Sequence, residues 1–121
     1  MAYDKNNIFA KILRGEIPCK KIYENDFVLS FYDINPQRKI HALVIPKGLY
    51  IDLDDFIKNA EEIEIKEFFK AISHVAALLG ISNIQGGYRT LSNIGKNGGQ
   101  EVPHLHFHLF GGENVGKMVS S

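Results

Sequence analysis

The chain has 121 residues, and 14 lysines and arginines balance 14 aspartates and glutamates, so its formal net charge is zero. A chain of this length buries roughly two-thirds of its unfolded surface, which suffices for one hydrophobic core, so we expect residues 1–121 to form a single domain. With a neutral overall charge and no basic block, the composition argues against binding to nucleic acid or to an anionic membrane through bulk charge.

The cysteine content and the composition of the N-terminal residues indicate the cellular compartment of the protein. The lone Cys19 cannot form an internal disulfide, and one thiol is too few for a thiolate zinc site. Charged residues are spread over positions 4–16, which leaves no apolar segment of the kind found in signal peptides. The longest run of apolar residues and glycine covers only positions 75–81, too short to span a bilayer. These features predict a cytoplasmic protein without a membrane span.

The N-terminal half predicts one short helix followed by three strands. Asn6 or Asn7 can cap a helix whose apolar residues at 8, 9, 12 and 13 have helical spacing, and Gly15 ends it. Three β-prone runs follow at positions 21–24, 27–32 and 40–46. The links between these runs are too short for parallel crossovers, so we expect an antiparallel sheet.

The C-terminal half predicts a longer helix and two further strands. Asn59 and Glu62 have the spacing of a capping box, and Gly80 marks the end of this helix. The apolar residues that line one face of the predicted helix are Ile65, Phe69, Ile72, Ala76 and Leu79. A glycine-rich loop at 95–100 joins the strands expected at 88–93 and 103–110. The fold class is therefore α+β, a five-stranded antiparallel sheet with two helices packed on it.

Three histidines alternate with apolar residues in the last predicted strand. Because successive side chains of a strand point to opposite faces, His104, His106 and His108 share one face. The core face then holds Leu105, Phe107 and Leu109. Adjacent imidazoles on one face would repel one another if all were protonated, so some should be neutral near pH 7 and available as nucleophile, base or ligand.

The loop before these histidines has the composition of an anion-binding turn. Gly95, Gly98 and Gly99 allow backbone N–H groups to turn toward an anion. No helix follows the loop, so it is not a P-loop. Taken alone the loop could be a flexible hairpin tip, but beside three histidines it favours a phosphate site. His74, by contrast, falls on the solvent face of the predicted second helix and is excluded from the site.

The segment HLHFHLF at 104–110 resembles the His-x-His-x-His-x-x signature of the histidine triad family. Further segments are similar to the Hint branch of that family, the histidine triad nucleotide-binding proteins. They are IFAKI at 8–12, EIP at 16–18, FYDINPQ at 31–37 and HALVIPK at 41–47. The resemblance extends over nearly the whole chain and implies the histidine triad fold.

The resemblance implies a hydrolase acting at the α-phosphorus of purine nucleoside phosphoramidates or related AMP conjugates. His106 would be the nucleophile and would form a nucleotidyl-histidine that water then hydrolyses. His108 would contact the phosphate oxygens, and His104 and His41 would orient the nucleophile. Asn93 would hydrogen-bond near the phosphate and the leaving group. No cofactor or metal is required by this chemistry.

The nucleotide-binding residues are also implied by the resemblance. The base pocket would consist of Phe9, Ile12, Phe31, Ile34 and Leu43, with Asp33 as the acceptor for a ribose hydroxyl. Gly99, Glu101 and Val102 would surround the phosphate together with Asn93, His106 and His108. From spacing alone, the apolar residues are more often core than pocket, and Asp33 fits an ordinary Asx turn equally well.

The chain departs from the family pattern at two places. Glu101 occupies a position where serine is common in animal members of the Hint branch, and we expect its charged side chain to point outward. The C-terminal tail at 113–121 lacks the basic and aromatic residues that are familiar there. Both departures concern the leaving group more than the reaction itself.

The sequence leaves three alternatives to this function open, and the resemblance also implies an oligomeric state. The histidines with His41 form a workable zinc ligand set. Dinucleoside polyphosphates could be the substrates, or the protein could be a nucleotide-binding regulator with little turnover. The resemblance implies a homodimer, with the second helix and the strand near 86 as contact elements. The expected ligand is a purine nucleoside monophosphate or phosphoramidate.

Overall fold

A computed structural model describes residues 2–118 of the chain, and the last tail positions, 119–121, lie outside the described residues. The strands are β1 (Lys21–Glu24), β2 (Val28–Tyr32), β3 (Ile40–Pro46), β4 (Arg89–Leu91) and β5 (Phe107–Gly111). The helices are α1 (Ile8–Leu13), α2 (Leu53–Asn59) and α3 (Glu62–Leu78), with a 3₁₀ turn at Asn83–Gln85. The five strands form one sheet in the order β1-β2-β3-β5-β4, and every neighbouring pair is antiparallel, so the α+β class and the antiparallel sheet are confirmed.

The sheet separates two hydrophobic clusters. Because side chains alternate along a strand, the central strand β3 sends Ala42 and Val44 to the face covered by α3, and Leu43 and Ile45 to the face covered by α1. The cluster under α3 is the larger of the two. The histidines lie on the smaller, α1 side of the sheet.

Helix α1 is short, and its N-terminus is fixed by a side chain. The Asn7 side chain accepts a hydrogen bond from the Ala10 N–H at 2.9 Å and donates to the Asp4 carbonyl at 2.7 Å. Asn7 is therefore the cap, of the two asparagines that the sequence offered. This anchored start places Phe9 and Ala10 against the sheet.

Residues 2–118 contain three α-helices, and the prediction of two was wrong. Helix α2 has seven residues and only Phe56 is buried, so it carries too little periodicity to be recognised. The capping box of α3 consists of Glu61 and Glu64, not of Asn59 and Glu62, because the chain from 53 to 59 is already helical. Within residues 2–118, no helix has both the length and the apolar character that a membrane crossing requires.

The buried face of α3 differs from the predicted face. The residues that it buries are Phe68, Ala71, Ile72, Val75 and Ala76. Phe69, which the periodicity assigned to the core, is 39% exposed. Helix α3 starts three residues after the predicted cap, and its buried stripe is set by the sheet it crosses rather than by the best-fitting apolar line.

The two C-terminal strands are shorter than predicted. Strand β4 covers three residues, and β5 begins at Phe107, so His104 and His106 precede the sheet ladder. The Leu105 N–H donates to the Tyr50 carbonyl at 2.8 Å instead of to a neighbouring strand. The alternation of faces nevertheless persists, since Leu105 and Leu109 both enter the cluster under α3.

Substitution of Phe56 tests the packing of the unforeseen helix α2. Phe56 is fully buried, and its ring lies 5.1 Å from that of Tyr50 and 5.2 Å from that of Phe68. We expect Phe56→Ala to lower the free energy of unfolding by about 3–5 kcal/mol, measured by urea denaturation. The neighbouring Ile57 is 52% exposed, so Ile57→Ala is the matched control and should change the free energy by about 0.5 kcal/mol or less. Equal losses in the two variants would contradict the position of α2.

Candidate active site

A cavity of about 470 Å³ opens on the α1 side of the sheet. Its walls come from α1, from β3 and the turn before it, and from the 93–108 segment. The lining residues are Phe9, Asp33, Asn35, Gln37, His41, Leu43, Asn93, Gly99, Glu101, Val102, His106 and His108. The lining includes two carboxylates and no lysine or arginine.

The register between β3 and β5 brings His41 and His108 together. Leu43 pairs with His108 and His41 pairs with Phe110, so all four side chains share one face of the sheet. The rings of His106 and His108 lie 5.1 Å apart, and the His108 ring stacks on Phe110 at 5.5 Å. The ladder therefore builds a continuous row of rings along one wall of the cavity.

The hydrogen bond made by His106 fixes its tautomer. Its Nδ1 lies 2.7 Å from the His104 carbonyl oxygen. Because a carbonyl can only accept, Nδ1 carries the proton and Nε2 keeps its lone pair. Burial lowers the pKa of His106 below its usual value, although the His104 carbonyl opposes this effect. His106 is therefore a neutral imidazole with a nucleophilic nitrogen at Nε2.

Two consecutive hydrogen bonds give His108 the tautomer opposite to that of His106. The Gln37 N–H donates to Nδ1 of His41 at 3.1 Å, which leaves the proton of neutral His41 on Nε2. That Nε2 lies 2.9 Å from Nδ1 of His108 and donates to it. The proton of His108 is consequently on Nε2. His106 thus offers a lone pair and His108 offers an N–H on the same wall.

Burial keeps this chain of imidazoles neutral. Desolvation, together with the neighbouring His106 and His41, lowers the pKa of His108 to about 4. Desolvation also lowers the pKa of His41, against the opposing effect of the nearby Asp33 carboxylate. The expectation that some of the histidines stay neutral near pH 7 agrees with these shifts.

Asp33 has two contacts at the mouth of the cavity. Its Oδ1 accepts the Asn35 N–H at 2.8 Å, which is an Asx turn. Its Oδ2 lies 3.5 Å from Nε2 of His41. The turn-forming role and a position in the cavity, which were alternatives at the level of sequence, are therefore both present.

Asp33, His41 and His108 also form a group with metal-ligand chemistry, and their donor atoms lie within 4.8 Å of one another. The hydrogen bonds argue against ligation. A metal would need the lone pair of His41 Nε2, but the Gln37 N–H occupies Nδ1 and so keeps the proton on Nε2. The arrangement fits a hydrogen-bonded chain of neutral imidazoles better than it fits a zinc site.

The glycine-rich loop is held in one conformation. The Gln100 side chain accepts the Gly95 N–H at 3.1 Å and donates to the Ile51 carbonyl at 2.7 Å. A Cβ at Gly98 would lie 2.3 Å from the Ile94 carbonyl oxygen, so only glycine fits there. The Gly99 N–H donates to the Lys96 carbonyl within the loop. Glu101 is exposed at the rim of the cavity.

Four residues implied by the resemblance do not line this cavity. His104 is fully buried behind it, and Phe31 is 3% exposed within the core cluster on the α1 side. Ile12 packs against the same cluster. Ile34 is 89% exposed and lines an adjoining cavity of about 740 Å³, which shares Asp33 and His41 with the first. His74 lies on α3, across the sheet, as expected.

Four contributing residues were not assigned by the sequence reasoning. Gln37 and Asn35 belong to the FYDINPQ segment, which gave a signal for the turn but not for their contacts. The Ser92 hydroxyl donates to the His106 carbonyl at 2.7 Å and holds the backbone of His106 from the β4 side. Tyr3 contacts His104, a partner 101 positions away for which the sequence carries no signal.

Comparison with known proteins agrees with this geometry. Residues 14–115 match the family model described as the HIT domain. The chain belongs to the HIT family. A 13.2 kDa HIT-like protein of Azospirillum brasilense is 54% identical over 118 residues, 98% of this chain and 95% of that protein. The purine nucleoside phosphoramidase of Escherichia coli K12 is 37% identical over 116 residues, 96% of this chain and 95% of that protein.

A solved structure extends the comparison to three dimensions. The HIT family hydrolase of Legionella pneumophila Philadelphia 1 superposes with a TM-score of 0.82 at 35% identity, covering 92% of this chain and 96% of that one. The histidine triad resemblance is therefore confirmed, and the relatives support a hydrolase role for this HIT protein.

The lowered histidine pKa values make the stability of this HIT protein depend on pH. Below pH 6.5, the ordinary histidine pKa, the histidines of the unfolded chain become protonated. In the folded protein, His104 and His108 stay neutral until the pH approaches their lowered pKa of about 4. We expect the urea midpoint to fall steadily as the pH drops from 6.5 to 5, above the main carboxylate range. His108→Asn removes one of these groups and should flatten the fall. A midpoint that is constant over this interval would contradict the neutral, buried histidines.

Proposed function

We propose that this HIT protein is a hydrolase of the Hint type that acts at the α-phosphorus of purine nucleoside phosphoramidates or related AMP conjugates. The observation that carries the proposal is the pair of complementary tautomers on one cavity wall. His106 presents an unprotonated Nε2, and His108 presents a protonated one. A phosphoryl group needs both, since its phosphorus accepts the lone pair and its oxygens accept the N–H.

In the first step, Nε2 of His106 attacks the α-phosphorus. The new P–N bond forms as the bond from phosphorus to the leaving amine breaks, and the departing nitrogen takes a proton from water at the open rim. The His104 carbonyl holds the Nδ1 proton and so stabilises the positive charge that develops on the ring. In the second step a water oxygen attacks phosphorus and loses a proton to solvent at the open rim, the P–N bond breaks with its electron pair returning to Nε2 of His106, and the monophosphate leaves.

The remaining side chains position the substrate. His41 holds the tautomer of His108, and Asn93 lies within the lining where it can bond the phosphate or the leaving group. The backbone around Gly99 and Val102 borders the phosphate position, with the Val102 N–H as its donor. His104 acts from behind the wall through its carbonyl.

The nucleoside would occupy the side of the cavity formed by α1 and the end of β2. Phe9 and Leu43 offer apolar contact for the base, and Phe31 supports Phe9 from below at a ring distance of 5.7 Å. Ile34 would border the base in the adjoining cavity, and Ile12 would support the base side from the core cluster against which it packs. Asp33 would accept a ribose hydroxyl through Oδ2, whose contact with His41 is long. The ligand is thus a purine nucleoside monophosphate or its phosphoramidate.

The charge of the lining favours an amine as the leaving group. A polyphosphate leaving group carries several negative charges, and the cavity offers it Glu101 and Asp33 but no lysine or arginine. An amine avoids this repulsion. The proposal therefore ranks phosphoramidates above dinucleoside polyphosphates. The intact pair of tautomers also favours turnover over a purely regulatory role.

Removal of the nucleophile tests the mechanism. His106→Ala should lower kcat for an adenosine phosphoramidate by at least three orders of magnitude, because no other group can form the covalent intermediate. Acid-quenched wild-type enzyme should carry a nucleotidyl adduct on a peptide that includes residue 106, detected by mass spectrometry. His74→Ala, on the far side of the sheet, is the matched control and should retain full kcat. Retention of more than a hundredth of the activity in His106→Ala would reject the role of His106.

We further propose a cytoplasmic homodimer in which each chain forms one domain with its own active site. Strand β4 lies at an edge of the sheet, and α3 exposes Phe69 and Leu78. A second copy would cover both the edge and these side chains. The Arg89 guanidinium donates to the Gly116 carbonyl at 2.7 Å and ties the described tail to β4, and we propose that each site is built within one chain.

Light scattering at micromolar concentration should give twice the 13.6 kDa mass of the chain. Phe69→Lys places a charge in the proposed contact and should shift the mass toward the monomer. Ile57→Lys is the control, because Ile57 is 52% exposed on α2, outside the proposed contact, and should leave the mass unchanged. A wild-type mass of one chain would exclude the dimer.

A further inference from the structure

The side chain of His104 is tied at both ring nitrogens, which is more than a packing role requires. The residue is fully buried, and its Nε2 lies 2.9 Å from the Pro46 carbonyl oxygen at the end of β3. Its Nδ1 lies 2.6 Å from the Tyr3 hydroxyl oxygen. A buried imidazole with both nitrogens bonded cannot rotate without losing two hydrogen bonds.

The direction of both bonds follows from their partners. The Pro46 carbonyl accepts, so Nε2 of His104 carries the proton. Desolvation lowers the pKa of His104 to about 4, so the ring is neutral and its Nδ1 has a lone pair. Burial raises the pKa of Tyr3, so its hydroxyl keeps its proton and donates to that lone pair. The Tyr3 hydroxyl is the donor that completes the pairing of His104.

The same residue holds the nucleophile through its backbone. The His104 carbonyl accepts the Nδ1 proton of His106, the bond that leaves Nε2 of His106 free to attack. Phe9 lies against both imidazoles, with its ring 6.4 Å from His104 and 4.9 Å from His106. A change in the position of His104 is therefore transmitted to His106 through the His104 carbonyl and through the packing of Phe9.

The N-terminal segment is itself anchored where it delivers Tyr3. Asn7 caps α1 and donates to the Asp4 carbonyl, which ties the chain next to Tyr3 to the first turn of the helix. The Tyr3 ring meets the His104 ring edge to face at 5.6 Å. The Tyr3 hydroxyl thus belongs to an anchored segment that lies outside residues 14–115, the residues that match the family model.

We propose that Tyr3 is a positioning residue for catalysis, whose hydroxyl locks His104 and thereby holds the His106 nucleophile in its reactive tautomer. The inference rests on the proposed role of His106 as the nucleophile. Loss of the hydroxyl leaves Nδ1 of His104 buried without its donor, so the ring shifts or admits water, and the His104 carbonyl moves away from His106. The consequence is a loss of rate rather than a loss of substrate binding.

The test is Tyr3→Phe, which keeps the ring and removes only the hydroxyl. We expect kcat for an adenosine phosphoramidate to fall at least tenfold while KM changes less than twofold, at a temperature well below unfolding. Long-range ¹H–¹⁵N spectra should show a single tautomer for His106 in the wild type and a mixture in the variant. Tyr23→Phe is the matched control, since its hydroxyl accepts from the Asn25 amide at 3.2 Å on the α3 side, and neither readout should move.

Two results would overturn the proposal. The first is a folded Tyr3→Phe variant with kcat within twofold of the wild type and an unchanged His106 spectrum. The second needs no variant: a wild-type spectrum with the His104 proton on Nδ1 rules out the Tyr3 donor, even if Tyr3→Phe does not fold. Because the spectra require no substrate, they decide the Tyr3 linkage separately. Absence of phosphoramidate turnover in the wild type would reject the proposed function alone.

Discussion

One hydrogen bond, from Nδ1 of His106 to the carbonyl of His104, determines what the site can do. With the proton held at Nδ1, the lone pair at Nε2 faces the cavity, and burial keeps the ring neutral. The neighbouring bond from His41 to His108 has the opposite consequence and turns an N–H outward. Two identical side chains two residues apart thus present one lone pair and one N–H, because each has a different partner at Nδ1.

The fold buries these histidine hydrogen bonds and fixes their geometry. The sheet places the larger core under α3 and leaves the histidine row on the α1 side, where Phe9 and Phe110 cover the rings. In such surroundings a charged imidazole is costly, so the histidines act as neutral groups whose polarity is set by hydrogen bonds. The carboxylates of Asp33 and Glu101 line the same cavity, and in the proposed function they disfavour polyanionic leaving groups.

Much of the fold was predictable, and the errors share a cause. Strands β1 to β3 follow from β-prone runs separated by short turns, and the antiparallel order follows from the links. Helix α2 was missed because it buries one aromatic ring, Phe56, and so has no periodicity to detect. Phe69 was assigned inward because its spacing suits an isolated helix, whereas the sheet selects Phe68 instead. Patterns within one element do not report which neighbour that element meets.

The sequence by itself determined the histidine alternation and the family to which the chain belongs, because each depends on residues close together in the chain. The tertiary structure decided which nitrogen of His104 and which nitrogen of His108 bears the proton. Those protons are set by the Pro46 carbonyl on His104, 58 positions away, and by the His41 ring on His108, 67 positions away. Such contacts are made only when the sheet closes, and a local pattern carries no trace of them.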